Sequence, residues 1–385
     1  MSLARPAALV LLALASACAS GPADGTVGAR PSREAMTATI DSLIAGGRFD
    51  SELWRLNLSE RFGSAVMASR LTVDGDLLLV EDSNSTIHAI DRAQGAHRWF
   101  IDLDDPTTQV AGGTESTITF VATDDATAVS RSRGARLMGT DAAPRSSEHL
   151  DFFPSGRAVA VGDSLYVGRL APMSLQAIDL TAGHAGWSYA TSSPVIDSVV
   201  YGDGPIAQIL SLTEDGLLFS LPPRAANESA WAPKENWYRR LAGTRAATPL
   251  ALLGDHLVFG AANGFLYDVD ARNGTVRFKV ALDGSFGGQE ATLTSDAAYQ
   301  RVDDGVVAVE LGGGNVLWTL PGAKRVVSRV GERVYAELAS GEIAVVAAAT
   351  GAELARFPVA GLTLPTIQGG GMVIGSDGTN VFALK

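Results

Sequence analysis

The sequence has only one cysteine, Cys18, among its 385 residues. An internal disulfide needs two cysteines and a cysteine-bound metal cluster needs several, so both are excluded. A chain without such cross-links must rely on its hydrophobic core. The sequence has 367 residues after Cys18, and a chain of that length can bury a large core.

Basic residues are also scarce relative to acidic ones. The chain has 30 Lys and Arg against 42 Asp and Glu, which gives a formal net charge of −12. Nucleic acids and anionic lipid surfaces are bound by basic patches, so neither is expected as a partner. The 42 glycines and the scarcity of long helical patterns indicate many turns and many strands.

The N-terminal apolar run, residues 7–14, is far shorter than the roughly 20 residues of a membrane-spanning helix. Arg5 precedes it and small residues follow it up to Cys18, which is the pattern of a secretion signal. The segment resembles a bacterial lipobox, although Ala15 stands where an aliphatic residue is usual. This resemblance implies a signal peptide over 1–17, lipidation of Cys18 and anchoring in the outer membrane. An ordinary signal peptide, cleaved near Ala17, is the alternative.

Residues 18–50 are expected to form a tether followed by one short helix. The tether is rich in glycine and proline and has no apolar periodicity. Ser32 can cap a helix, apolar residues then recur at helical spacing, and Gly46 and Gly47 end the pattern. The helix is predicted to pack against the domain that follows it, residues 51–385.

A repeated pattern in residues 51–385 predicts the fold. In each copy a strand-like segment such as IHAID, from Ile87, is followed by a turn glycine eight residues after its start. Twelve residues after the start most copies have a large apolar residue, with Met138 in one copy and Ala355 in another. The glycine allows a tight turn with positive φ, and the apolar residue on the returning strand can fill the gap between neighbouring sheets. The turn glycines are Gly95, Gly134, Gly183, Gly274, Gly314 and Gly351. The aromatic residues are Trp99, Trp187, Phe278 and Trp318.

Two further short strands precede each hairpin, so every copy contains four strands in about 40 residues, the signature of a β-propeller. The copies predict eight four-stranded blades in an all-β fold. The predicted bounds are 60–104, 105–148, 149–192, 193–243, 244–284, 285–321, 322–360, and 361–385 together with 51–59. The last blade is expected to be shared by the two ends of the chain, with Trp54 in the aromatic position, so that the ring closes with few exposed sheet edges.

The consensus of the repeat resembles the PQQ-like (quinoprotein-like) propeller repeat. Within that group the length, the blade count and the split closing blade resemble the BamB family of outer-membrane assembly lipoproteins. The resemblance implies a non-catalytic scaffold without a cofactor that binds protein subunits of an envelope complex such as the barrel assembly machine. The segments that dock partners in that family differ here, at residues 189–199 and 241–249, so no contact residue can be carried over.

Three features of the sequence suggest catalytic or metal-binding chemistry, but none has the context that such chemistry needs. The sequence GDSL at residues 162–165 spells a lipase motif, but it lies in a strand slot that reads GDHL and GDLL in other copies. Three side chains with oxygen ligands lie close together in the sequence, at Asp268, Asp270 and Asn273. The glycine that follows them comes one residue too late for a calcium-binding EF-hand loop. The five histidines form no pair at ligand spacing, and His97 and His184 are expected to be solvated.

The fourth copy contains an insertion, residues 222–240, which is the main candidate for partner binding. Trp, Tyr and Arg dominate binding hot spots, and this segment concentrates them. The candidate residues are Trp231, Trp237, Tyr238, Arg239 and Arg240. The alternative for Trp237 or Tyr238 is the structural aromatic position of that blade.

The sequence therefore predicts a periplasm-facing lipoprotein, monomeric by itself, that binds protein and touches the membrane only through its lipid anchor. Two alternatives remain open. One is a small-molecule or glycan site in the central channel of the propeller. The other is a relative of the PQQ-dependent dehydrogenases, which share the repeat.

Overall fold

The computed structural model describes residues 49–63, 66–103, 109–113, 117–121, 125–130, 144–150, 152, 154–162, 164–180, 184–225, 231–241, 244–303, 305–359 and 361–385. The expected signal peptide, Cys18, the tether and the N-terminal helix lie outside these residues, as do Gly134 and Gly183. Within the described part, no helix is long and apolar enough to cross a membrane.

Strand β1 (Glu52–Asn57) opens the described chain and leads into the five-residue helix α1 (Leu58–Phe62). The Asn57 side chain caps α1 by accepting a hydrogen bond from the Glu60 backbone N–H at 2.8 Å.

Three four-stranded blades follow. Blade 1 is β2 (Ala68–Asp74), β3 (Leu77–Asp82), β4 (Thr86–Asp91) and β5 (His97–Asp102). Blade 2 is β6 (Gln109–Gly113), β7 (Thr117–Val121), β8 (Asp125–Ser130) and β9 (Pro144–His149). Blade 3 is β10 (Pro154–Val161), β11 (Ser164–Arg169), β12 (Ser174–Asp179) and β13 (His184–Ala190).

Four more four-stranded blades complete this series. Blade 4 is β14 (Val195–Tyr201), a 3₁₀ turn (Gly204–Ile206), β15 (Gln208–Thr213), β16 (Leu217–Leu221) and β17 (Trp237–Arg240). Blade 5 is β18 (Ala251–Leu253), β19 (His256–Gly260), β20 (Phe265–Asp270) and β21 (Val276–Ala281). Blade 6 is β22 (Thr292–Leu293), β23 (Ala297–Val302), β24 (Gly305–Glu310) and β25 (Val316–Pro321). Blade 7 is β26 (Ala323–Val330), β27 (Arg333–Leu338), β28 (Glu342–Ala347) and β29 (Glu353–Pro358).

The closing sheet joins the two ends of the described chain. Strands β30 (Val373–Ser376) and β31 (Asn380–Leu384) come from the C-terminal end, and β1 pairs antiparallel with β31, with Trp54 opposite Ala383. This sheet has three strands in the order β1-β31-β30. The prediction of an all-β propeller with four-stranded antiparallel blades is confirmed, but the described residues form seven four-stranded blades and not eight.

The closing sheet has no regular first, innermost strand, because the backbone of the segment before β30 makes its hydrogen bonds elsewhere. The segment before β30 makes one isolated bridge to this sheet, Thr363 to Ser376. Farther along, the Ile367 N–H donates to the Val327 carbonyl of blade 7, and the Gly369 N–H donates to the Leu293 carbonyl of blade 6, both at 2.8 Å. These hydrogen bonds draw the segment across neighbouring blades instead of along its own.

The core lies between the blades. Eight clusters of buried hydrophobic residues each combine side chains from two consecutive sheets. Two of them flank the closing sheet, one shared with blade 7 and one with blade 1. The hydrophobic contacts therefore run around the whole ring, and the closing sheet is held on both sides.

First strands of neighbouring blades contact one another around the central axis, so the fourth strands lie at the circumference. Strands alternate in direction, so the turns between first and second strands and between third and fourth strands lie at one end of the propeller. We call this the hairpin end. The turns between second and third strands, and the connections to the next blade, lie at the other end, which we call the linker end.

A tryptophan–glycine contact recurs between neighbouring blades at the hairpin end. Trp54 packs on Gly95 of blade 1, and Trp318 of blade 6 packs on Gly351 of blade 7. Both glycines have φ near +70° (69° and 68°), and a Cβ on either would lie 2.5–2.7 Å from the nearest indole atom. The Trp54 Nε1–H also donates to the Arg92 carbonyl at 2.8 Å. Glycine is thus needed here both for the turn and for the approach of the ring.

The same position is filled by other aromatic residues around the ring. Phe278 packs on Gly314, and Trp99 and Trp187 are fully buried. The Trp187 Nε1–H donates to the Arg224 carbonyl of blade 4 at 3.0 Å. Each of these side chains joins one blade to its neighbour.

Candidate functional site

The insertion in blade 4 forms the connection between β16 and β17, at the hairpin end. Residues 226–230 of this loop lie outside the description. Trp231 is 82% exposed and Tyr238, in the outermost strand, is 66% exposed. A tryptophan and a tyrosine with so much accessible ring surface provide the rigid apolar contact area that binding hot spots use.

Trp237 lies differently from these two residues. Its ring packs on Gly274 of blade 5, and its Nε1–H donates to Gln208 Oε1 at 3.2 Å. This is the contact that Trp54 and Trp318 make with the glycines of their own neighbouring blades. The structure therefore favours the structural alternative for Trp237.

The two arginines of the insertion already have partners within the protein. Arg239 donates through Nε to the Gly274 carbonyl at 2.8 Å, which leaves its terminal nitrogens without a described ion pair. Arg240 pairs with Asp215 at 3.0 Å. Burial opposes ionisation of Asp215, but hydrogen bonds from Thr213, Ser192, Ser193 and Arg240 hold its pKa well below the ordinary value. Arg240 is therefore bound within blade 4, whereas the terminal nitrogens of Arg239 can bind a carboxylate of a partner.

The central channel holds a second polar site. Arg157 of β10 pairs with Asp197 of β14 at 2.8 Å and with Glu290, before β22, at 2.9 Å. It also donates to the Leu250 carbonyl at 2.7 Å. Gln368 donates to Glu290 at 3.1 Å, so the network joins blades 3, 4, 5 and 6 to the segment before the closing sheet. Sequence reasoning missed this cluster because its members lie far apart in the chain.

The charges of this cluster largely satisfy one another. Burial raises the pKa of Asp197 to about 6, against the opposing attraction of Arg157. Burial would lower the pKa of Arg157, but Asp197 and Glu290 raise it above the ordinary value. A cavity of about 310 Å³ lies beside Arg157, between the inner strands of blades 1 to 4. That volume is at the lower limit for ligand pockets, and the guanidinium there is already bound by two carboxylates.

The sequence motifs that suggested catalysis or metal binding have structural roles within the blades. Ser164 of the GDSL sequence is buried within strand β11. Asp268 hydrogen-bonds with His256 at 2.7 Å, and Asp270 pairs with Arg272 and Arg277, each at 2.8 Å. Among the described residues, no three His, Cys, Asp or Glu are grouped so that they could hold a metal ion.

The expectation that His97 is solvated is wrong. The ring centroids of His97 and His88 are 5.8 Å apart, and Phe62 of α1 packs on both imidazoles. Burial, followed by the proximity of His88 and Arg61, lowers the pKa of His97 to about 4. Both histidines belong to blade 1, where β4 and β5 pair. The His184 side chain lies outside the description.

Comparison with known proteins gives one family match that spans most of the chain. The model for outer membrane protein assembly factor BamB matches residues 46–201 and 227–384. The unmatched stretch between them, 202–226, includes the beginning of the blade 4 insertion. The comparison with curated proteins gives no match.

Solved structures show the same fold at low sequence identity. BamB from Moraxella catarrhalis aligns with a TM-score of 0.61 at 18% identity, over 87% of this chain and 97% of that one. The computationally designed Ika8 protein aligns at 0.56 and 14%, over 83% and 97%. Sqt1 from Saccharomyces cerevisiae aligns at 0.58 and 9%, over 83% and 96%. Because these identities are low, the similarities support the fold alone.

Proposed function

Because the chain belongs to the family of outer membrane protein assembly factor BamB, we propose that it is a non-catalytic scaffold of an outer-membrane complex. The observation that carries this proposal is the family match, which extends from the closing strand to the last strand of the propeller. The scaffold faces the periplasm and is held at the outer membrane by a lipid on Cys18. The three-stranded closing sheet serves as the eighth blade of the ring, which the hydrophobic clusters on both of its sides support.

The partner is a protein subunit of the envelope complex, and the hairpin end of blade 4 is its docking point. Trp231 and Tyr238 support this assignment, because they are the two most exposed aromatic side chains of the described residues. Arg239 adds a cation that no described carboxylate neutralises. Trp237 and Arg240 hold the blade together and contribute by positioning the strand that carries Tyr238.

Quantitative co-purification from solubilised envelopes tests the proposal. We expect the double variant Trp231→Ala, Tyr238→Ala to retain at least tenfold less partner than the wild type, a loss of about 1.4 kcal/mol. The matched control is Leu170→Ala with Met173→Ala, two exposed apolar residues at the linker end. Circular dichroism checks that both variants fold. Equal partner recovery from the folded double variant and the control would contradict the assignment.

A further inference from the structure

The exposed apolar side chains of the protein are concentrated at one end. Ten large hydrophobic residues of the described chain are exposed, and only Leu170 and Met173, in the turn between β11 and β12, lie at the linker end. The other eight lie at the hairpin end. They are Leu53, Ile206, Trp231, Tyr238, Val276, Val316, Leu317 and Leu354.

Five of these residues occupy the beginnings of consecutive outermost strands. Tyr238 lies in β17, Val276 in β21, Val316 and Leu317 in β25, and Leu354 in β29. We call these five residues the outer arc. Its last four members are 40–56% exposed. Single exposed apolar residues are ordinary on protein surfaces, but a series on four neighbouring blades is typical of a binding surface.

The strands of the outer arc are basic in an acidic protein. Strands β17, β21, β25 and β29 together contain five Lys or Arg and one Asp or Glu. The whole chain has 30 basic and 42 acidic residues. This local reversal of charge favours a partner that carries carboxylates.

Two of these cations are available to a partner's carboxylate. Arg239 uses one nitrogen on the Gly274 carbonyl, and Lys279 lies over the Phe265 ring, with Nζ 5.4 Å from its centroid. Neither makes an ion pair with another described residue, and both are exposed. By contrast, Arg277 and Arg356 of the same strands already pair with Asp270 and Glu353. Arg239 and Lys279 flank the junction of blades 4 and 5.

The backbone of the outer arc suits an extended partner. Strands β17, β21, β25 and β29 are the last strands of their sheets. An outermost strand leaves one row of backbone donors and acceptors without a partner in its own sheet, and an extended peptide that runs along the strand can pair with this edge on one blade at a time.

We infer that the outer arc, with Arg239 and Lys279, binds an extended segment of a partner protein that is both apolar and acidic. The inference rests on the proposed function in one respect, namely that the partner is a protein. A bilayer surface fits less well, because a chain with a net charge of −12 is repelled by anionic lipid. The outer arc extends the docking surface from blade 4 across blades 5, 6 and 7.

Fluorescence anisotropy with designed peptides tests the inference on the full-length chain carrying Cys18→Ser, which removes the lipid. The probe is a labelled peptide of about ten residues, about 33 Å when extended, in which Val and Leu alternate with Glu. A second peptide has Lys in place of every Glu. We expect at least tenfold tighter binding of the acidic peptide than of the basic one.

Two sets of substitutions locate the binding site. Arg239→Glu with Lys279→Glu, and separately Val316→Ser with Leu317→Ser, are each expected to weaken binding of the acidic peptide at least tenfold. Leu170→Ser with Met173→Ser, the control at the linker end, is expected to leave it unchanged. Circular dichroism identifies any variant that fails to fold, and Leu354→Ser then replaces the Val316 and Leu317 pair.

Three results would overturn the inference. The first is equal binding of the acidic and basic peptides, and the second is unchanged peptide binding by the folded arc variants. The third is that the peptide does not bind, while the protein floats with phosphatidylethanolamine–phosphatidylglycerol vesicles and the arc variants do not. Failure of this inference is distinguishable from failure of the proposed function. If envelope partners still depend on Trp231 but no peptide binds the arc, the scaffold role stands. If the peptide binds but no envelope partner is retained, the scaffold role fails.

Discussion

Replacing Trp54 by alanine is expected to open the ring at its closing sheet. Trp54 stands only six residues into the described chain, yet it is 8% exposed and belongs to the hydrophobic cluster between the closing sheet and blade 1. Its ring packs on Gly95, and its Nε1–H donates to the Arg92 carbonyl at 2.8 Å. The substitution therefore removes both the apolar contact and the hydrogen bond that hold β1 to the neighbouring blade.

The expected loss follows from the burial of this side chain. Truncation of a buried tryptophan to alanine costs about 3–5 kcal/mol. Because unfolding entropy is about 2.1 cal/mol/K per residue, this loss corresponds to a fall of about 4–7 °C in the melting temperature of a domain of this size. Trp54→Phe keeps an aromatic ring on Gly95 but loses the indole donor, and should cost about 1 kcal/mol for the hydrogen bond.

Differential scanning calorimetry on the wild type and the two variants measures these shifts. Limited proteolysis followed by mass spectrometry shows where the variant opens, and cleavage of Trp54→Ala is expected first between residues 49 and 63. The matched control is Trp231→Ala, which removes the same side chain from an 82% exposed position and should leave the melting temperature unchanged. Equal melting temperatures for Trp54→Ala and Trp231→Ala would refute the assignment of β1 as a strand that closes the ring.

Three further predictions concern the anchor, the histidines and the turns. Cys18→Ser should release the protein into the soluble periplasm with an unchanged melting temperature; a variant that still pellets with outer membranes after a salt wash would count against the lipid anchor. Because burial lowers the pKa of His97 to about 4 from 6.5, the unfolded chain binds more protons between these values, so stability should fall as the pH falls through this window. His97→Gln should flatten that dependence in denaturant titrations, and an identical slope would show that His97 is not its cause. Gly351→Ala should destabilise the fold more than Gly331→Ala, since both glycines have positive φ but only a Cβ at 351 meets Trp318; equal losses would mean that the Trp318 contact is unimportant.

The propeller could be predicted from the sequence because its repeat is local. A turn glycine and an aromatic residue lie four positions apart in four of the copies, so the pattern that places Trp318 against the next blade is visible in a short window of sequence. The shared closing sheet was predictable for the same reason. The C-terminal end lacks the fourth strand of a copy, and the N-terminal segment containing Trp54 supplies it.

The arrangement of the candidate site was only partly predictable. The sequence drew attention to residues 222–240, but it could not separate Trp231 and Tyr238, which are exposed, from Trp237, which packs on Gly274. The separation depends on how the inserted loop places β17 against blade 5. The histidines illustrate the same limit, because His88 and His97 lie on the paired strands β4 and β5 and meet Phe62 of α1, which belongs to a separate element.

The local structure of most blades could therefore be predicted from the sequence: the strands, the turn glycine and, in four copies, the aromatic residue that faces the next blade. The contacts between residues of distant blades depend on the tertiary structure. Arg157 and Glu290 are 133 residues apart and meet across the channel, and the outer arc gathers residues from four separate copies. The segment before β30 gives its hydrogen bonds to blades 6 and 7 and leaves the closing sheet with three strands. The physical reason is that contacts within a hairpin depend on neighbouring residues, whereas contacts across the ring depend on where closure brings distant ones.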